Sequence, residues 1–230
     1  MANERRDKGL SFFYDAPEDG MNDKSPAENL SFAHFAIVVE ERLIARFFLL
    51  LQQGVRIRRR VGCTVATFLQ EELGAGPATI EKIQSIMLDG KPVDDLSSAM
   101  IHDGSVLALS AAMPGLVGAT LRRGGAYSSL RSVISYHETG EACKPGEGWI
   151  SIKLFNLMMA ELGPGLLRQG VLVKSHDLAD LLAERAEVFR QGCNVMLDNN
   201  PVDISVPESN AALAGKDQVF LTVAGSLVSA

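Results

Sequence analysis

A repeated motif constrains the fold of this chain more than any other feature of its sequence. The segment Met-Leu-Asp-x-x-Pro-Val-Asp occurs at 87–94 and again at 196–203, about 110 residues later. Two further pairs of segments match in the same order: 50–55 with 166–171, and 105–111 with 218–224. Three matches at nearly constant spacing predict two copies of one fold within the chain.

The second copy shows the expected order of elements most clearly. Apolar residues alternate through Ile150–Leu154 and predict a half-buried strand. We expect a short helical turn over Met158–Leu162 that stops at Gly163-Pro164-Gly165, and a second strand over Val171–Lys174 that completes a hairpin.

The main helix of each copy follows this predicted hairpin. In the second copy Leu178, Leu181 and Leu182 occupy the i, i+3, i+4 positions of a core-facing stripe. In the first copy a helix is expected to open at Thr64 and to bury Phe68 and Leu69.

After the helix, each copy continues with a strand, a turn, a short strand and a last strand. Asp89-Gly90 marks the turn in the first copy, and Asp198-Asn199 marks it in the second. One helix against one face of a small mixed sheet is a two-layer α+β arrangement. The order predicts two tandem β-grasp domains, the ubiquitin-like fold.

The predicted domain organisation has four parts. Residues 1–32, rich in charged residues, Ser, Asn and Pro, are expected to form a mobile polar arm. The two β-grasp domains are predicted over 33–118 and 149–230, joined by a linker over 119–148 that contains Gly and Arg.

Two turn motifs carry a family resemblance. The first copy reads Leu-Asp-Gly-Lys-Pro-Val-Asp over 88–94 and Ile-His-Asp-Gly-Ser over 101–105, just before its last strand. The second copy keeps the first turn at 198–203. These turns resemble those of the ubiquitin-like sulfur carriers, namely the small subunit of molybdopterin synthase and the thiamine sulfur carrier.

The resemblance implies a function as well as a fold. Sulfur carriers present a C-terminal Gly-Gly to an adenylating enzyme, which activates the terminal carboxylate for conversion to a thiocarboxylate. Here the sequence ends Val228-Ser229-Ala230, so we expect no sulfur to be carried at Ala230. The resemblance therefore predicts a non-catalytic binding or accessory protein. Its expected partners are adenylating enzymes or enzymes of the molybdenum or tungsten pterin cofactor pathways.

One internal segment keeps the carrier alternative open. Leu-Arg-Arg-Gly-Gly at 121–125 resembles a ubiquitin-type tail, and cleavage after Gly125 would expose Gly124 and Gly125 as a terminus. The other interpretation is a flexible loop between the copies, in which glycines permit positive φ.

Arginines form two candidate contact sites. Arg122, Arg123 and Arg131 flank the two glycines, and together with backbone amides they could hold a phosphate or carboxylate of a small ligand. The second group, Arg56, Arg58 and Arg60, would share one face of a strand. That face is expected either to be solvated or to contact an acidic partner.

Composition and charge argue against several functional classes of protein. A net charge of -6 argues against nucleic acid binding, which favours a basic surface. Three cysteines and no apolar leader favour a reduced, cytoplasmic protein. The apolar window 32–51 contains central charges, which argues against a membrane span. No catalytic grouping, cofactor motif or paired metal-ligand spacing is recognised, so we expect neither enzyme activity nor a bound cofactor or metal.

Overall fold

In the computed structural model, the described residues form twelve strands, of which ten belong to one mixed sheet, and helices cover one of its faces. The structure describes residues 32–131, 134–138, 144–184, 189, 193–202, 213 and 215–226. The predicted arm before Phe32 and the chain end at 227–230 lie outside these described residues. The protein is therefore an α+β protein, as its sequence predicts.

The first copy contributes strands β1 to β7. Their bounds are β1 Ala33–Glu40, β2 Val55–Val61, β3 Cys63–Thr64, β4 Ser85–Leu88, β5 Lys91–Pro92, β6 Met100–Ile101 and β7 Val106–Ser110. Its helices are a 3-10 segment Glu41–Phe47 continued by α1 Phe48–Gln53, α2 Val65–Thr67 continued by a π segment Phe68–Glu72, α3 Pro77–Lys82 and α4 Gly115–Leu121. A 3-10 turn, Ser128–Arg131, follows.

The second copy contributes the remaining elements. These are β8 Gly146–Phe155, α5 Leu157–Gln169, β9 Val171–Lys174, α6 Ser175–Glu184, β10 Cys193–Leu197, β11 Asn200–Val202 and β12 Gln218–Ser226. The large sheet has the order β11-β10-β1-β12-β9-β2-β8-β7-β4-β5, while β3 and β6 form a separate two-stranded sheet.

The repeated motif forms the same hairpin twice. Met87 faces Pro92 across β4 and β5, and Met196 faces Pro201 across β10 and β11. Both two-residue turns have positive φ at each position, 50° and 77° at Asp89-Gly90 and 47° and 65° at Asp198-Asn199. Positive φ at both positions is typical of a type I′ turn, which matches the twist of antiparallel strands. The predicted equivalence of the two hairpins is confirmed, although Asp203 lies outside the described residues.

The main helices also confirm their sequence patterns. Thr64 caps α2, because its Oγ1 accepts a hydrogen bond from Thr67 N at 3.2 Å. Phe68 and Leu69 are buried in the π segment that continues this helix, and Leu181 and Leu182 are buried along α6.

The predicted hairpin between the first two strands of each copy is wrong. In the second copy α5 runs from Leu157 to Gln169, straight through Gly163-Pro164-Gly165, which we expected to stop it. Tertiary packing explains the difference. A Cβ on Gly163 would lie 2.8 Å from Leu51 Cδ1, so glycine lets α5 pack closely against α1. The first copy has a helical connection at the same place, over 41–53.

The first strands of the two copies are exchanged in the sheet. Strand β1, from the first copy, lies between β10 and β12 of the second copy. Strand β8, from the second copy, lies between β2 and β7 of the first copy. Each half of the sheet is therefore completed by a strand from the other copy.

The halves meet at equivalent strands. β2 and β9 follow the matching Leu-Leu-x-Gln-Gly segments, and they pair antiparallel through Arg56 and Leu172. Because these two equivalent strands pair antiparallel, a local two-fold axis lies between them. The sheet therefore continues through both predicted domains without a break.

Candidate functional site

Within the described part of the chain, no helix covers the second face of the large sheet, its open face. Along β8, Ile150, Ile152 and Leu154 are buried against the helices, while the alternate side chains are only partly buried. The register places Arg56 of β2 beside Ser151 of β8 and Leu172 of β9 on this second face. The face is covered at Leu172, which is 1% exposed, and partly exposed at Arg56 and Ser151.

The open-face patch consists of His34, Arg56, Arg58, Trp149 and Phe220. The Arg56 guanidinium lies 5.2 Å from the centre of the Trp149 ring, a cation–π contact. His34 and Phe220 have ring centres 5.5 Å apart. This patch combines the residue types that contribute most at protein interfaces, Trp and Arg.

Trp149 is held in place by the second turn motif. Its backbone N donates to Asp103 Oδ1 at 2.7 Å, and its carbonyl accepts from Gly104 N at 2.8 Å. Phe32 also contacts its ring edge-on, with centres 5.9 Å apart. A turn of the first copy therefore positions the tryptophan of the second copy, which is possible only because β8 is exchanged.

Phe220 is held by a glycine. Gly170 has φ of +99°, and a Cβ there would lie 2.2 Å from Phe220 Cζ. Only glycine allows this ring to lie over the backbone at the start of β9. Burial lowers the pKa of His34, against an opposing effect from Asp198, so the neutral imidazole is favoured at pH 7. The positive charge of the patch therefore comes from its arginines.

The predicted arginine face is present, and its members differ in their partners. Arg58 Nε lies 3.0 Å from Glu147 Oε2, with both side chains exposed. Arg60 pairs with Glu71 and Glu72. Among the described residues, no carboxylate forms an ion pair with Arg56. Exposed ion pairs contribute little to stability, so an incoming carboxylate can replace Glu147 at small cost.

Arg131 has a structural role in this geometry. Its side chain is 3% exposed and binds both carboxylate oxygens of Asp94, at 2.6 and 2.9 Å. It also donates to Thr120 O at 2.6 Å and to Ser135 Oγ at 2.9 Å. Of the three arginines predicted to contact an anion, Arg131 therefore has its guanidinium bound to groups of the protein. The segment after α4 is thereby clamped to the loop that follows β5.

The two adjacent glycines lie in a turn. Gly125 N donates to Arg122 O at 3.1 Å, and Arg123 N donates to Gln84 O at 2.7 Å. Gly124 has φ of +61°, which agrees with the predicted conformational role of glycine in this loop. Helix α4 separates this turn from the last strand of the first copy, β7.

A cleft of about 780 Å³ adjoins this turn. Arg123, Gly124 and the serines Ser128, Ser129 and Ser135 contribute to its wall. The structure thus brings part of the predicted anion site together, with Arg123 at the cleft. Arg122 is exposed, and Arg131 binds Asp94 beside the cleft.

A polar cluster of Tyr136, Glu138 and His102 lies further along the chain from the glycine turn. Tyr136 Oη donates to Glu138 Oε2 at 2.9 Å, and His102 Nε2 lies 3.4 Å from Glu138 Oε1. Burial, together with the hydrogen bond to Glu138, raises the pKa of Tyr136 to about 12. The sequence did not single out this cluster, because no local spacing links Glu138 to His102.

The chain was compared with models of protein families, with curated proteins and with solved structures, and no match was found. Within the described part of the chain, none of the helices has both the length and the apolar character needed to span a membrane.

Proposed function

We propose that this chain is a non-catalytic binding protein built from two β-grasp units, and that its open-face patch binds an acidic protein surface. The observation that carries the proposal is the contact of Arg56 with Trp149 on the sheet face that none of the described helices covers. A basic, aromatic surface on a chain with a net charge of -6 is suited to a partner that is acidic at the contact.

The charges around the patch support this choice of partner. Lys153 and Lys174 lie on the same face by register, since Lys153 follows Ser151 on β8 and Lys174 follows Leu172 on β9 at two-residue spacing. Together with Arg56 and Arg58 they add positive charge to this face, while Glu147 pairs with Arg58 and Asp198 lies beside His34.

The two turn motifs connect this proposal to the sulfur-carrier resemblance. By that resemblance, the proposed partners are adenylating enzymes or enzymes of molybdenum or tungsten pterin cofactor synthesis. The exchanged strands favour an accessory protein over a carrier matured after Gly125. The first half of the sheet contains β8, which follows the cleavage point, and the second half contains β1, which precedes it. A cut after Gly125 would therefore not release a complete β-grasp unit.

A binding titration tests this proposal. Arg56→Glu and Trp149→Ala are compared with Arg46→Glu, which changes an exposed arginine in the 3-10 segment over 41–47, outside the open face. Purified adenylating and pterin-cofactor enzymes of the native source serve as candidate partners. We expect both patch variants to weaken binding by about tenfold or more, as for interface hot spots, while Arg46→Glu binds normally. Equal binding by all three variants would refute the assignment of the patch.

The cleft beside Gly124 supports a second candidate function, binding of a small anion. Arg123 supplies charge there, and the serine hydroxyls supply hydrogen bonds. Thermal shifts with phosphorylated metabolites, measured for the native protein and for Arg123→Gln, test this function. Stabilisation that depends on Arg123 supports it, and identical shifts for both proteins contradict it.

A further inference from the structure

A contact between two aromatic rings spans the open face of the sheet. Phe32 immediately precedes β1, and its ring lies edge-on to that of Trp149 in β8, with centres 5.9 Å apart. Strands β12, β9 and β2 lie between β1 and β8. In a flat sheet, strands four positions apart would be about 19 Å from each other. The accumulated twist of the sheet therefore brings these two corners of the open face together.

The register identifies the residue that lies beneath this contact. Leu172 belongs to β9, the strand midway between β1 and β8. The row of paired residues through Leu172 begins at His34 in β1 and ends at Ser151 in β8. Phe32 and Trp149 are each two residues from that row, on opposite sides of it. Leu172 is therefore at the midpoint between the two rings.

Leu172 is buried apart from the main core. Its exposure is 1%, yet it is not a member of the core cluster that its neighbours Val171 and Val173 join on the other face of the sheet. Within the described part of the chain, no helix covers the side of β9 that carries Leu172. The rings of Phe32 and Trp149 meet at the position from which Leu172 is covered.

Phe32 is the member of the ring contact that is able to move. The described strand pairing of β1 begins at Ala33, so rotation of Phe32 away from Trp149 breaks none of these pairs. Trp149 is fixed, because its backbone N and O are both hydrogen-bonded to the turn that includes Asp103. Displacement of Phe32 would therefore open the contact and leave Trp149 in place.

The site beneath Phe32 combines apolar surface with positive charge. Leu172 forms its floor and the ring of Trp149 forms one wall. The Arg56 guanidinium lies 5.2 Å from the centre of that ring. Lys174, which is exposed, follows Leu172 at two-residue spacing on the same face of β9. Such a site is complementary to an aromatic side chain that has carboxylates beside it.

We propose that Phe32 occupies, within the chain, the position that an aromatic side chain of the partner takes on binding. The partner segment is acidic and has an aromatic residue at its centre. This residue displaces Phe32 and packs against Trp149 and Leu172, while the neighbouring carboxylates bind Arg56 and Lys174. The inference rests on the proposed function of the open-face patch, and it adds the chemistry of the segment that binds there.

The test is a titration of the full chain with two peptides, followed by the fluorescence of Trp149. Trp149 is the only tryptophan in the sequence, so the signal reports on the patch alone. One peptide, Asp-Glu-Phe-Glu-Asp with blocked ends, carries the aromatic side chain, and the other has Ala in place of Phe. The native protein should bind the Phe peptide about tenfold more tightly or better, because only this peptide buries an aromatic ring.

Phe32→Ala provides the decisive comparison. It should bind the Phe peptide about two- to tenfold more tightly than the native protein does, because the ring contact with Trp149 no longer has to be broken. The Ala peptide, which displaces no ring, should bind both proteins equally. Phe32→Leu, which keeps an apolar side chain, should give a smaller gain. The control Leu49→Ala removes an exposed apolar side chain from α1, outside the open face, and should bind as the native protein does.

Quenching of Trp149 by acrylamide checks the cover directly. Without peptide, quenching should be stronger in Phe32→Ala than in the native protein, and the Phe peptide should reduce it again. Equal or weaker binding of the Phe peptide by both Phe32 variants would overturn the inference. If Arg56→Glu still weakens binding of both peptides, the open face binds acidic segments and only the role of Phe32 is wrong. Absence of peptide binding also overturns the inference, and the titration with candidate enzymes then decides the proposed function separately.

Discussion

Cleavage of the chain between Gly125 and Ala126 tests the exchanged strands directly. A site-specific protease sequence inserted there would yield one fragment with β1 to β7 and another with β8 to β12. If the strands are exchanged as described, neither fragment contains a complete half of the sheet. We therefore expect the fragments to remain together as one folded complex under native conditions.

The energy that holds the fragments together can be worked from the buried side chains. β8 places Ile150, Ile152 and Leu154 into the core, each 0% exposed. β1 contributes three equally buried side chains to the other half: Phe35, Ile37 and Val39. Burial of one such side chain contributes about 1.5–3 kcal/mol, so the six together contribute about 9–18 kcal/mol.

Association has an entropic cost, and packing between the helices helps to offset it. The cost of joining two molecules is about 4–15 kcal/mol, and a micromolar complex needs a net of about 8 kcal/mol. The contact of Gly163 in α5 with Phe48 and Leu51 adds further buried area between the fragments. We expect a complex that survives gel filtration at micromolar concentration.

The assay is gel filtration of the cleaved protein, followed by thermal melting at several concentrations. The cleaved protein should elute at the position of the intact chain, and its melting temperature should rise with concentration because unfolding now separates two molecules. The intact chain, with the same inserted sequence left uncut, is the control. Elution of two separately folded fragments would refute the exchanged strands and would favour the carrier matured after Gly125.

Three further predictions concern the core, one glycine and one tyrosine. Leu181→Ala should lower the free energy of unfolding by about 2–5 kcal/mol in denaturant melts, because Leu181 lies on the buried face of α6; a loss below about 0.5 kcal/mol would contradict this packing. Gly170→Ala should lower the free energy of unfolding by at least about 1–3 kcal/mol, because the added Cβ would meet Phe220 and the backbone φ is positive. The control Gly165→Ala, whose added Cβ has nothing within 4 Å, should leave the free energy of unfolding unchanged. The raised pKa of Tyr136, about 12, lies above its unfolded value, so the stability that this residue contributes should be complete below about pH 10 and be lost as pH rises towards 12. Tyr136→Phe should remove that part of the pH dependence, and an unchanged profile would disprove the assignment.

The local structure of each copy was predictable from the sequence. The hairpin over 85–92 is repeated at 193–202 because the same turn residues adopt positive φ in both copies. The apolar stripe of α6 and the shared face of Arg56 and Arg58 follow from the periods of 3.6 and 2 residues. These features depend on neighbours within a few positions along the chain, so a single sequence contains the information.

The hairpin at the start of each copy was not predictable in the same way. Gly163-Pro164-Gly165 is a local signal for the end of a helix, and close packing of α5 on α1 overrides it. Once the connection is helical, the two strands that it joins no longer have to pair. Strand alternation identifies Ile150 and Ile152 as core residues but does not specify which strand they lie beside.

The candidate sites, like the fold, were only partly predictable from the sequence. The arginines and the two glycines were recognised as residue types, yet the burial of Arg131 depends on Asp94, a contact 37 residues away along the chain. Trp149 reaches Arg56 and Asp103 only through the exchange of β8. Short-range patterns therefore determined which elements form. The choice among strand partners, and with it the aromatic patch, was decided by tertiary packing, because several strands offer equivalent backbone hydrogen bonds and only the complete core distinguishes them.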